Sequence, residues 1–313
     1  MEVKDMLRYI LKRLMAGILT IWVIITITFV LMHAVPGNPF QMKEENKTPP
    51  EVMARLEQKY GLDKPLWQQY LRYLSDILHG DFGISFKKAD TSVNEIIDRG
   101  FPASAKVGVL AVIVSLILGL ALGIVSAIKR GKWMDWFSMI FATIGISIPA
   151  FVISVLLLYI FCYYWKVLPS FGLTSWKHFI LPVACLAFSP TAYIARLTRS
   201  SMLEVMRSDY IRTARAKGIS EKMVILRHAL RNAILPVVTY LGPLVASMLT
   251  GSFVVERLFS IPGIGREYVD GISSRDYSVI LGMTAFFGIF VIVANLVVDI
   301  LYGVIDPRVK LND

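Results

Sequence analysis

Six long stretches of the chain carry no charged residue: Leu14–Gln41, Val107–Ile128, Trp136–Trp165, His178–Ala195, Asn232–Val255 and Tyr277–Val298. Each is close to or beyond the roughly 20 residues an α-helix needs to cross the hydrocarbon core of a bilayer, the fourth being the shortest. The pattern predicts an all-α membrane protein with six transmembrane helices. The first run is too long for a signal peptide and no small-residue cleavage site follows it.

The polar stretches between these runs differ in kind. Residues 1–13 read as a short amphipathic helix entering the first span. The next stretch opens at Val35-Pro-Gly-Asn-Pro39, which stops a helix. It then shows helical periodicity over Glu51–Tyr60 and Pro65–Leu78, with Pro50 and Pro65 where a missing N–H costs nothing, and a turn over His79–Ser85. That is more chain than a simple connection needs, and it is expected to cap a pore or touch an external partner. The expected division is therefore 1–35, an N-terminal arm and first transmembrane helix; 36–100, an extracytoplasmic segment; 101–303, a five-helix transmembrane domain containing a hairpin over 204–232; and 304–313, a cytosolic tail.

Prolines mark the spans. The third contains Gly145-Ile-Ser-Ile-Pro149, and a proline removes one backbone bond, so a kink or break at membrane depth is expected. Such a bend either serves the packing alone or lines a substrate path. Pro182 and Pro190 predict the same in the fourth span, Pro236 and Pro243 in the fifth.

Composition agrees with the pattern. Apolar residues make up 55% of the chain and the mean hydropathy is +0.59, which excludes an ordinary soluble domain. The net charge of +10 is distributed unevenly. Lys4, Arg8, Lys12 and Arg13 precede the first span, Lys129, Arg130 and Lys132 follow the second, and nine basic residues lie between Arg196 and Arg231. On the other side, residues 42–100 hold nine basic against ten acidic, and Glu256–Asp276 three against four. Positive-inside reasoning puts both termini and the Arg-rich hairpin in the cytosol. The basic residues hug membrane boundaries and form no nucleic-acid module. Cys162 and Cys185 both sit in apolar runs, with neither a disulfide framework nor a metal spacing.

The hairpin is the most informative segment. Ser208 or Asp209 suits the N-cap of a helix ending near Lys217, with Arg212, Arg215 and Lys217 toward its C-terminal end. Gly218 supplies a left-handed residue to stop it. Ser220 caps a second helix, with Glu221 in its first turn and apolar residues at Met223, Val224, Leu226, Ala229 and Leu230. By its charge such a hairpin either rests on anionic lipid or presents a surface to another protein.

Asp209-Tyr-Ile-Arg-Thr-Ala-Arg-Ala-Lys-Gly218 and Arg227-His-Ala-Leu-Arg-Asn232 resemble, nearly residue for residue, the cytosolic loop of type I ABC importer permeases in the form found in the peptide and nickel subgroup. Against the general pattern of that family (Glu-Ala-Ala, three residues, Gly, nine residues, Ile-x-Leu-Pro) the chain keeps Ala214, Gly218 and Leu230. Arg212 stands where the glutamate is usual. Leu7–Leu14, Val35–Pro39, Tyr60–Pro65, Gly80–Gly83, Ile261–Gly265 and Tyr302–Pro307 are similar to blocks of the first permease subunit of oligopeptide and dipeptide importers, in order along the chain.

The resemblance implies the type I permease fold and a coupling helix docked on an ATPase, with Asp209, Tyr210, Arg212, Thr213, Ala214, Ala216, Lys217 and Gly218 as the docking surface. It implies two ABC ATPase subunits, a second homologous permease, an extracytoplasmic peptide-binding protein at 36–100, surrounding membrane lipid, and a bacterial or archaeal cell membrane. The chain has no G-x-x-x-x-G-K-[ST] loop, so ATP and magnesium would be held by the partner subunits, with no cofactor, no metal and no catalytic residue here. Candidates for the pathway are Thr143, Ser147, Pro149, Ser189 and Asn295, because polar groups and helix breaks in spans are expensive. Asp299 is expected to pair with a basic loop residue instead. Oligopeptides lead as substrate, with dipeptides, glutathione or nickel complexes as alternatives. An ion-coupled secondary transporter would need intramembrane charges that are scarce here. An intramembrane serine protease would need a histidine at the depth of Ser147.

Overall fold

The computed structural model describes residues 3–34, 51, 55, 57, 58, 61–88 and 90–305, with side chains of residues 3–10 and 298–305 excepted. Val35–Pro39, Tyr60, residues 306–313 and the side chain of Asp299 lie outside that description. Of the helix expected over Glu51–Tyr60, the described residues Glu51, Arg55, Glu57 and Gln58 are helical.

Helix α1 runs Val3–Ala34 as one piece, absorbing the expected N-terminal arm. Helix α2, Leu66–Leu78, starts after Pro65 as its sequence predicts. Helix α3 spans Val93–Ile128, beginning well before the apolar run at Val107 and crossing the 100/101 boundary. Its start is set by a local signal: Ser92 at the N-cap accepts a hydrogen bond from the Glu95 N–H at 3.1 Å, with an acidic residue three positions on.

The third apolar run forms two helices. Helix α4, Trp133–Ser147, and helix α5, Ala150–Leu157, which continues as π-helix through Tyr164, meet at a bend of 107°. Pro149 cannot donate to the ladder and forces Ile148 into extended backbone. Helix α6, Lys177–Val205, runs through both Pro182 and Pro190, so of the kink or break expected there the break does not occur. It is the most enclosed of the long helices, and that packing holds it together where two backbone bonds are missing.

Helices α7, Asp209–Ala216, α8, Glu221–Met223, and α9, Leu230–Ala233, form the hairpin, with a π-helical stretch Val224–Ala229 joining the last two. Helix α10, Leu235–Leu249, carries Pro236 in its first turn and Pro243 within, and stops at Gly251 (φ +82°). Short helices α11, Phe253–Leu258, and α12, Ile264–Ser274, precede α13, Tyr277–Ile305. Among the described residues five helices are long and apolar enough to cross a membrane, and six if the bent α4–α5 pair is one crossing.

The core is organised around α3 and α6. A Cβ on Gly119 would lie 2.7 Å from Ile194 Cβ, and one on Gly123 2.5 Å from Thr198 Cβ. Two glycines four residues apart thus bring the helices into near backbone contact, the packing mode that dominates where lipid removes the hydrophobic drive between helices. Gly145 brings α4 equally close to α6, its Cβ position 2.5 Å from that of Ala192. Cys185 and Cys162 fall in and beside one apolar cluster with Val107, Leu181 and Phe259.

Candidate functional site

Helix α7 is a two-faced surface helix. Ile211 and Ala214, one turn apart, are buried against Met202 at the end of α6, Ala127 at the end of α3, and Val224, Ile225, Ala229 and Ala233 of the following stretch. Burying Ile211 completely is worth about 1.5–3 kcal/mol and clamps α7 under two long helices. Seven of the eight residues assigned to the docking surface remain exposed: Asp209, Tyr210, Arg212, Thr213, Ala216, Lys217 and Gly218. Ala214 is turned inward with 6% exposure. Its place in the eight-residue pattern is that of a floor residue, because position 214 repeats position 211 on the helix face.

Ser208 has the extended backbone of an N-cap, yet its hydroxyl donates to the Val205 carbonyl at 2.6 Å and does not receive a bond from α7. The orphan carbonyls ending α6 compete for that hydroxyl and win. Ser220 likewise stands at the N-cap of α8 without a side-chain bond. The C-terminal signal acts as expected. Gly218 has φ +77°, its N–H donates to the Arg215 carbonyl at 2.9 Å, and the Ile219 N–H reaches the Ala214 carbonyl at 3.3 Å. No atom lies within 4 Å of a Cβ built on Gly218, so the glycine is required by conformation, not by space.

Two further bonds brace the hairpin across that turn. Arg215 donates from Nε and a terminal nitrogen to the two carboxylate oxygens of Glu221 at 3.0 and 2.7 Å. This bidentate pair holds the Glu221 carboxyl below its usual range and raises the Arg215 guanidinium. Asn232 Nδ2 donates to the Tyr210 hydroxyl at 2.7 Å, tying the exposed face of α7 to the entry of α10. Arg212 makes a loose, solvent-exposed pair with Asp209 at 3.5 Å, leaving its guanidinium presented outward. In the second half of the hairpin Val224 and Ala229 are buried, but Met223 and Leu226 are exposed and Ile225 is buried in their place. The π-helical turn rotates the faces away from a regular 3.6-residue repeat.

Above the hairpin lies a charged joint that periodicity does not reveal. Asp135 of α4, buried, accepts from Arg199 Nε at 2.6 Å and a terminal Arg199 nitrogen at 2.9 Å, from Ser126 Oγ at 2.5 Å and from the Gly131 N–H at 2.9 Å. One carboxylate thereby joins the ends of α3, α4 and α6. At the opposite end two more carboxylates are buried. Glu256 accepts from Ser104 Oγ at 2.7 Å and from the Arg266 N–H at 3.0 Å, which caps the start of α12. Asp276 accepts from Ser85 Oγ at 2.5 Å and the Phe86 N–H at 3.0 Å. A charge count registers Glu256 and Asp276 only as loop charges and does not single out Asp135, because Arg199, Ser104 and Ser85 are far away in sequence.

The pathway candidates lie on α4, the bend after it, α6 and α13. Thr143, Ser147 and Pro149 occupy exposed positions at the end of α4 and the bend. Ser189 lies half-buried on α6, beside the place where Gly145 meets Phe188 and Ala192. Asn295 is half-buried on α13, a helix that packs chiefly on α1 and α10. Among the described residues His, Cys, Asp and Glu do not gather in threes suited to a metal ion.

Two family profiles match the chain in tandem. Residues 6–108 match the N-terminal part of the binding-protein-dependent transport system membrane component, and residues 119–311 match the binding-protein-dependent transport system inner membrane component itself. The chain is 50% identical over 307 residues to the dipeptide transport system permease protein DppB of Bacillus subtilis, covering 98% of this chain and 99% of that one. It is 45% identical to the oligopeptide transport system permease protein OppB of Escherichia coli K12, covering 97% and 100%. Among solved structures, the methionine ABC transporter MetNI in inward-facing conformations matches with TM-score 0.57 at 17% identity, over 67% of this chain and 96% of that one. An amino acid ABC transporter with histidines matches with TM-score 0.54 at 18% identity, over 67% and 94%. At those identities the two structures speak for the fold alone.

Proposed function

The chain belongs to the family of binding-protein-dependent transport system inner membrane components, and from that premise we propose that it forms half of the translocation pathway of an ATP-driven peptide importer. The observation that carries the peptide reading is the 50% identity over nearly the whole length to a dipeptide permease, alongside 45% to an oligopeptide permease. Oligopeptides are the leading substrate class, with dipeptides next. A second, homologous permease completes the pathway, and an extracytoplasmic binding protein delivers the peptide.

The hairpin is the coupling element. Helix α7 docks on an ATPase subunit through Asp209, Tyr210, Arg212, Thr213, Ala216, Lys217 and Gly218, with Ala214 holding the helix to its floor. ATP and magnesium are bound by two partner ATPases, and this chain takes no cofactor and performs no bond chemistry. Both termini and α7 lie in the cytosol. What supports the mechanical part is the continuity of α7 with the protein above it. A push on α7 passes through Ile211 to α3 and α6, through Asp135–Arg199 to α4, and through Tyr210–Asn232 to α10.

The test is reconstitution of the chain with its second permease and ATPases in proteoliposomes loaded with binding protein and labelled peptide. ATP-dependent peptide movement is expected, and Arg212→Glu should reduce ATPase association without loss of the folded permease. A preparation that binds no ATPase overturns the coupling reading. Transport of nickel complexes in preference to peptides overturns the substrate assignment.

A further inference from the structure

Helix α2 is amphipathic, and the protein covers only part of its apolar side. At 3.6 residues per turn its apolar side chains cover an arc of about 160°. Tyr73 lies at one edge of that arc, and Tyr70, within it, reaches α1. The other side, formed by Trp67, Leu71 and Leu78, is free, with exposures of 62%, 55% and 86%. Gln69, Tyr73 and Asp76 border a cavity of about 200 Å³ together with His33 and Tyr277, and Arg72 stands at its edge with a largely exposed side chain. A helix that packs one edge on the protein and leaves both its tryptophan–leucine edge and Arg72 open matches the boundary between hydrocarbon and water.

An independent observation fixes its depth. Tyr70 Oη and Thr26 Oγ1 are 2.6 Å apart, and because the Thr26 hydroxyl already donates to the Trp22 carbonyl, Tyr70 is the donor. The Tyr70 and Phe29 ring centroids are 5.3 Å apart. The apolar part of α1, Leu11–Ala34, has 24 residues, about 36 Å of helix against a hydrocarbon core of about 30 Å. Thr26 lies about 12 Å below Ala34. Even if the whole excess of about 6 Å projects beyond the bilayer at that end, Thr26 remains about 6 Å inside the hydrocarbon. A tyrosine whose hydroxyl reaches that depth belongs to a helix at the membrane surface, not to one held well above it. Helix α1, which it touches, exposes Ile27, Val30 and Leu31 in the same stretch.

We propose that α2 lies in the interface of the leaflet in which α1 ends, with its Trp67–Leu71–Leu78 edge seated against lipid. The occupant is bilayer lipid, with the tryptophan at the headgroup boundary that suits an amphipathic ring. The helix then lies flat on the membrane, with Gln69 and Asp76 bordering the cavity beside His33 and Tyr277. This goes beyond the transport reading and does not depend on it.

The test is made on the full chain in nanodiscs of phosphatidylethanolamine and phosphatidylglycerol. Nitroxides are placed singly at Leu71→Cys and Leu78→Cys, with Asp81→Cys as a water-side reference, in a Cys162→Ser, Cys185→Ala background. Collisions with oxygen should exceed collisions with a water-soluble nickel chelate several-fold at 71 and 78, and the ratio should invert at 81. A second measurement needs no substitution: a lipid-tethered diazirine, activated in the unaltered protein, should deposit carbene label on the peptide containing 66–78. Dominant nickel collisions at 71 and 78 overturn the proposal in favour of a face open to a soluble partner. Low collisions with both reagents overturn it in favour of burial against another protein chain, as does an absence of carbene label.

Discussion

Removing the Asp135 carboxylate is the perturbation whose size the structure sets most clearly. Asp135→Ala takes away the acceptor of four hydrogen bonds at once, two of them charge-assisted from Arg199. The Arg199 side chain is only 23% exposed and would keep its charge in a site that has lost its counter-ion. Breaking a buried pair from one side costs about 3–5 kcal/mol, most of it the penalty on the stranded partner. Arg199→Ala should cost less, since Asp135 keeps Ser126 and the Gly131 N–H. The double variant should be less damaged than the sum of the two, with an interaction energy of about 2–3 kcal/mol. The assay is thermal loss of the monodisperse detergent peak in gel filtration, where Asp135→Ala should lower the midpoint on the order of 10 °C. An Asp135→Ala protein as heat-stable as the parent, or a double variant whose loss is the plain sum, would refute the reasoning that this pair joins α3, α4 and α6.

Gly123→Val should abolish recovery of folded protein, because its Cβ alone would stand 2.5 Å from Thr198 Cβ and 2.7 Å from the Ala195 carbonyl; monodisperse yield checks this. Gly218→Ala should cost about 1–2 kcal/mol through its left-handed backbone alone, visible as faster proteolysis within the hairpin while the spans stay intact. The Arg215–Glu221 brace should weaken only in acid. The Glu221 carboxyl is held below its usual range, so the stabilisation is fully present above the unfolded pKa and lost as pH falls through the lower folded one. Both side chains are substantially exposed, which limits the effect to about 0.5 kcal/mol. Amide exchange of 215–221 against pH, with Glu221→Gln as the acid mimic at neutral pH, measures it. Tyr70→Phe should destabilise the chain by about 1 kcal/mol through the lost bond to Thr26, read in the same gel-filtration melt.

Charge-free run length determined the membrane class, the helical content and nearly every span, since crossing a bilayer demands some 20 apolar residues whatever packs around them. Local chemistry was equally legible at Gly218, where the backbone conformation belongs to the residue itself, and at Pro149, where the missing N–H ends α4. The outline of the hairpin, a helix stopped at Gly218 and followed by another, was legible for the same reason, although neither Ser208 nor Ser220 makes a side-chain cap. Tertiary structure decided the rest. Pro182 and Pro190 leave α6 unbroken because enclosure by its neighbours outweighs two missing bonds. Ala214 turns inward and Met223 outward because a buried floor and a π-helical turn set the faces. Asp135 with Arg199, Ser104 with Glu256, and Ser85 with Asp276 meet across 64, 152 and 191 positions. No periodicity encodes such pairings, because they exist only once distant helices have packed and the desolvated carboxylates must find their donors.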